Sequence, residues 1–213
     1  IPEEGTIRKV FAQECKDCYP QDSAVKSKFG DVFKQEHISF LLVLYFLIFL
    51  GYNVYYASFP THAANVLHWS VTQLGIFYAI LSGIMVLIQG PVLRKALETF
   101  SEEKLVIFGS LILGTNFVLF FSESIISVYT AVVLFAIGNG LMWPSFMSIL
   151  SKCAGTALQG AVQGVAGSIG GVASIIGLIA GGVLYNLIGG ATFLVSAVII
   201  FSVFVMSCRL LKR

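Results

Sequence analysis

The side chains of this sequence that could bind a solute are uncharged and lie inside long apolar stretches. Asn139 and Trp143 lie next to Gly138, Gly140 and Pro144. An amide placed in hydrocarbon either hydrogen-bonds a neighbouring helix or lines a water-filled cavity. For Asn116 we favour the hydrogen bond to a neighbouring helix. For Asn53, Asn139 and Trp143 we leave both alternatives open. The candidate cavity residues are Tyr52, Asn53, Tyr56, Gln89, Asn139, Trp143 and Gln163.

The sequence does not contain the motifs that would indicate an enzyme. An intramembrane serine protease needs a nucleophilic serine and a histidine at membrane depth, and the G-S-I-G of residues 167–170 meets neither condition. The phosphate-cradling G-x-x-x-x-G-K-[ST] motif is absent from the sequence. Cys15 and Cys18 have C-x-x-C spacing, but a zinc site needs four ligands, so we interpret them as free thiols. The sequence therefore predicts no catalytic residue, no metal and no cofactor.

Intramembrane charge, the usual sign of a proton relay, is missing from the interior of every long apolar stretch. If the complete protein is driven by protons, the titrating acid is expected elsewhere in it. His37 precedes the first stretch, whereas His62 and His68 follow its end. Histidine titrates near neutral pH, but at such interfacial positions we expect these rings to be solvated.

Composition indicates an integral membrane protein, since 57% of the residues are hydrophobic and only 11% are charged, against about a quarter in soluble domains. Six stretches have close to the roughly 20 residues that cross a bilayer. They predict an all-α membrane protein, a six-transmembrane-helix bundle over 38–211. The six predicted spans are residues 38–59, 71–93, 105–121, 125–150, 160–187 and 191–211.

Charge placement orients this bundle. All 13 lysines and arginines precede the first span, lie between spans two and three or four and five, or lie at the end of the last span (Arg209) and beyond it. The connections at 60–70, 122–124 and 188–190 contain none. The positive-inside rule assigns the basic side to the cytoplasm, which predicts a multi-pass protein of the cell membrane with both termini cytoplasmic.

The flanking segments are predicted to be cytoplasmic too. Residues 1–37, which contain six of the lysines and arginines, form a linker or extension, either a flexible tether or a surface helix with Val25, Phe29, Val32 and Phe33 facing the membrane. Residues 212–213 form a short tail. Because the chain begins with Ile1, we expect it to be a piece of a longer protein, with a half-sized protein that dimerises as the alternative.

Glycine is concentrated in the fifth span, in three G-x-x-x-G spacings at 160/164, 167/171 and 177/181. Small residues let membrane helices approach closely, and proline supplies a cause for a kink in the fourth span. A polar loop, residues 151–158, is predicted to separate the two spans. The predicted helix-packing and gating residues are Gly138, Gly140, Pro144, Gly160, Gly164, Gly167 and Gly171.

Three segments resemble a known family: N-V-Y-Y-A-S-F-P-T-H-A-A-N-V-L-H-W-S-V-T-Q-L-G (53–75), residues 89–114, and G-N-G-L-M-W-P-S-F-M-S-I-L-S-K (138–152) with residues 159–185. They are similar to the C-terminal half, helices 7–12, of a major facilitator superfamily transporter of the tetracycline-efflux-like, drug/proton antiporter branch. The 89–114 segment lacks the usual aspartate and glycine of the family's basic loop and keeps Gly90, Leu93, Arg94 and Lys95. The resemblance implies two inverted three-helix repeats, of which L-G-Y-N at 50–53 and I-G-N-G at 137–140 are a loose echo.

The resemblance also implies a function. Such a bundle rocks against an N-terminal six-helix half around a midplane site, and the glycines at 160, 164, 167 and 171 would meet that missing half. The expected activity is proton-coupled efflux of a small lipophilic or amphipathic solute, with the lipid bilayer as surroundings and no nucleic-acid partner. The alternatives are transport of another small solute by the same fold, and a six-span scaffold or pore without coupled transport.

Overall fold

A computed structural model describes residues 36–122 and 124–212, and every regular element in them is helical. The predicted linker up to residue 35, with Cys15, Cys18 and the possible surface helix, lies outside the described residues. The helices are α1 (Glu36–Asn65), α2 (Val71–Leu87), α3 (Leu93–Thr99), α4 (Glu102–Leu119), α5 (Ile125–Ile188) and α6 (Thr192–Ser207). A π-helical segment, Ile88–Val92, joins α2 to α3, and 3-10 turns lie at Gly189–Ala191 and Cys208–Lys212.

Two interruptions of regular α-helix have a clear chemical cause. Pro91 lies in the π-helical segment, where its missing N–H and its ring would disturb a regular α-helix. Helix α5 contains one residue with non-helical dihedral angles, Gly155 at φ 62° and ψ 172°, a region open almost only to glycine. It divides α5 into a first arm (125–154) and a second arm (156–188). The loop predicted over 151–158 is therefore helical except at this one residue, and Pro144 lies within the first arm without a second break.

We call α1, α2 with α3, α4, the two arms of α5, and α6 the six rods of the bundle. Contacts between them show that successive rods run in opposite directions. Along α1, Tyr45 contacts Trp143 and Tyr55 contacts Phe135, so the first arm runs antiparallel to α1. The second arm runs parallel to α1, because Gly170 lies beside Tyr45 while Tyr185 lies beside His62. By the same comparison α4 is parallel to α1, whereas α2 and α6 are antiparallel to it. The molecule is thus an up-and-down bundle.

By length and composition, four helical stretches of the described chain could cross a membrane: His37–Asn65, Val71–Thr99, Ile125–Gly155 and Leu158–Leu211. The last has 54 residues, about 80 Å of helix at 1.5 Å per residue, and it reverses at Gly189 (φ 57°). Helix α4 is not among the four because it begins with Glu102, Glu103 and Lys104. Counted as rods, the bundle has the six helical segments that the sequence predicts.

The two ends of the bundle differ in charge. One, here called the basic end, contains a cavity of about 210 Å³ lined by residues of α1, α4, the first arm and the C-terminus, among them His37, Glu103, Cys153 and Leu210. There Glu102 Oε1 accepts from Lys152 Nζ and from Ser148 Oγ, both at 2.7 Å. The opposite end is aromatic: Tyr55 packs against Phe59, Phe117 and Phe120 with ring centroids 5.0–5.3 Å apart. The buried core nevertheless runs the length of the bundle, from Ile38 and Leu150 near the basic end to Phe59 and Phe120 near the opposite end.

Candidate functional site

A buried hydrogen bond joins two helices near the middle of the bundle. Tyr52 Oη donates to Asn139 Oδ1 at 2.6 Å, and Asn139 Nδ2 lies 3.7 Å from the Met85 sulfur. The three residues stand near the midpoints of α1, the first arm and α2–α3. Tyr52 and Asn139 are 9% and 8% exposed. Of the two alternatives left open for Asn139, the structure shows the hydrogen bond to a neighbouring helix.

We call Tyr52, Asn139 and their neighbours at this depth the Tyr52–Asn139 layer. The next turn of α1, away from the basic end, carries the candidate residue Tyr56. Tyr56 is 39% exposed, and its ring lies 6.3 Å from Phe135, which also contacts Tyr52 at 5.9 Å. Because 52 and 56 are one turn apart, both hydroxyl groups follow the face of α1 that meets the first arm. The predicted residues Tyr52, Tyr56 and Asn139 are thus brought together, with Phe135 as an unpredicted neighbour.

Trp143 belongs to an aromatic cluster one turn closer to the basic end. Its ring lies 5.5 Å from both Tyr45 and Phe49, which stack on each other at 4.7 Å, and 6.4 Å from Phe146. Sequence reasoning missed Tyr45, Phe49 and Phe146. The signal for the two α1 residues was the i, i+3 or i+4 spacing of Tyr45, Phe49, Tyr52 and Tyr56, which places them along one side of α1.

Asn53 points to a different neighbour. Its Nδ2 donates to Phe49 O at 2.8 Å and to Ser174 Oγ of the second arm at 3.0 Å. Adjacent residues on a helix differ by about 100°, so Tyr52 and Asn53 connect α1 to the two arms of α5 separately. Asn53 therefore serves helix pairing in this conformation and lies apart from the Tyr52–Asn139 layer.

The two predicted glutamines are not brought into that layer. Gln89 is exposed in the π-helical segment, where it lines an open groove of about 480 Å³ with Leu93, Arg94 and Glu98. Gln163 is half-buried on the second arm, toward the basic end. Both remain predictions for a cavity that this bundle would share with another half.

The predicted packing residues of the first arm lie at close helix crossings. A Cβ added to Gly138 would stand 2.9 Å from Gly109 O, and one added to Gly140 would stand 2.6 Å from Ile88 Cγ2. Gly109 is the partner that sequence reasoning missed: its own Cβ would lie 2.7 Å from Gly138 O. Backbones can approach this closely only where neither helix carries a side chain.

The glycines of the three G-x-x-x-G spacings in the second arm divide into two sets. Beside Gly177 and Gly181, an added Cβ would lie 2.7 Å from Asn53 Cβ and 2.6 Å from Val54 O. Gly160, Gly164, Gly167 and Gly171 are exposed, and nothing lies within 4 Å of a Cβ added to any of them. We call these four residues the open stripe.

Two expectations about polar residues are wrong. Asn116 is fully buried on α4, but neither of its amide atoms has a hydrogen-bond partner among the described residues, so it does not join two helices as predicted. His62 is only 2% exposed and its Nδ1 lies 3.2 Å from Tyr185 Oη, whereas solvation was expected. His68 is exposed as predicted. Within the described residues, no group of three or more His, Cys, Asp or Glu could hold a metal ion.

Comparison with known proteins shows similarity to a family model, a resistance protein and a solved transporter structure. The Major Facilitator Superfamily family model matches residues 6–177 and 41–213. The tetracycline resistance protein, class G, of Vibrio anguillarum is 27% identical over 152 residues, or 71% of this chain and 38% of that protein. The crystal structure of the human organic anion transporter MFSD10 (TETRAN) matches with a TM-score of 0.71 and 24% identity, over 84% of this chain and 44% of that one.

The chain thus spans less than half the length of each of these two relatives. Its six alternating rods have the fold of one half of such a transporter. The family model covers the larger part of the sequence. The chain belongs to the major facilitator superfamily of multi-pass membrane transporters.

Proposed function

We propose that this bundle is one half of a secondary transporter that exports a small lipophilic or amphipathic solute by alternating access, coupled to protons. The observation that carries the proposal is the Tyr52–Asn139 hydrogen bond at mid-depth, in a bundle whose predicted spans carry no charge in their interiors. Transporters of this fold bind solute near the bilayer midplane, at the interface of their repeats. The similarity to a tetracycline resistance protein supports a drug-like solute.

The residues around this pair suit such a solute. Tyr52 and Asn139 supply a hydroxyl and an amide, which bind polar groups without adding charge. The neighbouring half-buried rings of Trp143 and Phe49 supply apolar faces on which an aromatic solute can stack, and the buried Tyr45 packs against both of them. Pockets for small molecules combine a mostly apolar lining with a few placed polar groups, which is the combination found along this face of α1.

We propose that the open stripe on the second arm packs against the N-terminal half. Its four glycines are exposed, and small residues are typical of close helix contacts in membranes. The basic end is assigned to the cytoplasm of the cell by the positive-inside rule. The proton-linked acid then lies in the other half, since the spans of this bundle contain none.

The test is a matched pair of asparagine substitutions in the full-length transporter, reconstituted in liposomes with a pH gradient and a fluorescent lipophilic solute. Asn139→Leu removes the partner of Tyr52 at nearly constant volume, and we expect transport to fall at least about tenfold with the folded fraction retained. Trp143→Ala should lower the affinity for aromatic solutes.

Asn116→Leu is the control. It is the same substitution at another buried position of the bundle, but Asn116 has no described hydrogen-bond partner, so we expect unchanged transport and equal or higher thermal stability. Wild-type transport by Asn139→Leu and Trp143→Ala together would refute this binding site. Failure of the wild-type protein to move any solute under any gradient would favour a scaffold.

A further inference from the structure

The amide group of Asn139 is held in one orientation between two helices. Its Oδ1 accepts from Tyr52 Oη of α1 at 2.6 Å, and its Nδ2 lies 3.7 Å from the sulfur of Met85 on α2. A thioether sulfur can only accept a hydrogen bond, so the amide nitrogen is the atom that faces Met85. The tyrosine hydroxyl then donates to the amide oxygen. The two neighbours together determine which end of the amide each helix contacts.

The two ends of this amide differ in how well they are hydrogen-bonded. The oxygen accepts a short bond from a hydroxyl, whereas the nitrogen carries two N–H groups and has one described partner, a weakly accepting sulfur. Polar groups at membrane depth have no water to bond and gain from any better partner that reaches them. Asn139 therefore offers a solute a hydrogen-bond donor, while its oxygen is already bound.

Met85 covers this donor with a flexible side chain. A Cβ added to Gly140 would stand 2.6 Å from Ile88 Cγ2, and Met85 lies three residues before Ile88, on the same side of its helix. This close crossing brings the sulfur next to Asn139. Met85 is half-buried, whereas Asn139 is 8% exposed. Because methionine is unbranched and repacks easily, an oxygen atom of a solute can replace the sulfur without a change in the backbone.

We propose that the amide nitrogen of Asn139 selects uncharged aromatic solutes that carry a hydrogen-bond acceptor, such as a ketone oxygen. The half-buried rings of Trp143 and Phe49, one turn closer to the basic end, offer apolar faces to the aromatic part. Tyr52 is a positioning residue, because its hydroxyl keeps the amide oxygen turned away from the solute. An N–H donor on the solute gains no bond there. The inference rests on the proposed transport site and names its substrate class.

The experiment compares three tricyclic aromatic compounds of nearly equal shape by equilibrium binding to the purified full-length protein in lipid nanodiscs. Fluorenone carries a carbonyl acceptor, fluorene carries neither acceptor nor donor, and carbazole carries an N–H donor. We expect fluorenone to bind on the order of fivefold more tightly than either of the other compounds, the effect of one neutral hydrogen bond. Equal affinities for the three compounds, or no binding of fluorenone, overturn the inference.

Tyr52→Phe tests the positioning role. The ring remains, but the hydroxyl that holds the amide oxygen is lost, so the amide can turn either atom toward the solute. The ratio of the fluorenone and carbazole affinities should then fall toward one. A merely structural role of Tyr52 would change the affinities together and keep their ratio, and that outcome overturns the positioning role.

Tyr55→Phe is the matched control. It is the same substitution in the same helix, at a buried ring whose hydroxyl has no described hydrogen-bond partner. We expect the wild-type ratio of affinities. Loss of the fluorenone preference in Tyr55→Phe to the same extent as in Tyr52→Phe would overturn the inference, because the preference would then not depend on the bond to Asn139.

Asn139→Leu removes the donor itself and should bind the three compounds equally, so a preference retained in this variant overturns the inference. If the variant does not fold, the affinity ratio of Tyr52→Phe decides. Binding is measured without transport, which separates this inference from the proposed function. A fluorenone preference in a protein that transports nothing supports the donor site and refutes the proposed function. Transport by a protein without that preference overturns the inference and leaves the proposed function standing.

Discussion

The second arm of α5 carries glycine on two faces, and the faces have different surroundings. On one, Gly177 and Gly181 lie against the backbone of α1, with Leu50 O and Val54 O less than 3 Å from the added Cβ positions. On the other, the open stripe faces empty space. Both faces contain G-x-x-x-G spacings in the same helix, so the spacing alone does not identify the partner.

The two sets of glycines differ in whether a neighbouring helix lies opposite them. Beside Gly181, α1 presents small side chains: Ala57 Cβ lies 2.9 Å from the added Cβ, and Ser58 Oγ bonds Gly181 O at 3.2 Å. A close backbone approach with a hydrogen bond across it is a stable pairing in a membrane. The open stripe has the small residues of such a pairing and lacks the second helix.

The largest effect is expected from Gly181→Ala. The new Cβ would stand 2.6 Å from Val54 O, a backbone atom that cannot move without shifting α1. Overpacking of this kind costs about 1–3 kcal/mol, which should appear as a clear loss of thermal stability of the full-length protein in detergent, measured by the remaining monodisperse fraction after heating.

Gly182→Ala, one residue further along, serves as its control. Nothing lies within 4 Å of a Cβ at Gly182, and alanine is favoured over glycine in a helix by about 1 kcal/mol, so stability should be equal or slightly higher. Equal stability of the two variants would show that the close pairing of α1 and the second arm is wrong.

The two faces also show which structural features could be predicted from the sequence and which could not. Hydropathy and charge predict six rods and their alternation, because apolar length and lysine placement are properties of each segment alone. The partner of a side chain is not such a property. Asn139 and Asn116 look alike in the sequence, yet one bonds Tyr52 and the other has no described partner. His62 follows an apolar run into a polar connection, and only the packing of α6 over it reveals its burial.

The second-largest effect is expected from Gly167→Leu, which should impair transport and leave folding intact. Gly167→Leu places a large side chain on the open stripe, where this bundle has room for it. If the N-terminal half packs there, we expect transport by the full-length protein to be lost while the heat stability of the C-terminal bundle changes little. Limited proteolysis between the halves would report whether they still associate.

Ile176→Phe is the matched enlargement on a different exposed face of the same arm, since Ile176 is 46% exposed. It should transport at close to the wild-type rate. Wild-type transport by Gly167→Leu would mean that the stripe faces lipid, and the partner assigned to it would have to be abandoned.

The smallest effect is expected from Ser174→Ala, at the polar contact of the packed face. Ser174 Oγ accepts from Asn53 Nδ2, but that amide also donates to Phe49 O at 2.8 Å and keeps a partner after the substitution. Hydrogen bonds between membrane helices contribute about 0.6 kcal/mol on average, so the loss should be near this value. Ser168→Ala provides the baseline, because Ser168 is exposed and bonds only Gly164 O of its own helix among the described contacts. A loss for Ser174→Ala as large as for Gly181→Ala would mean that the polar contact, rather than the close backbone approach, holds α1 against this arm.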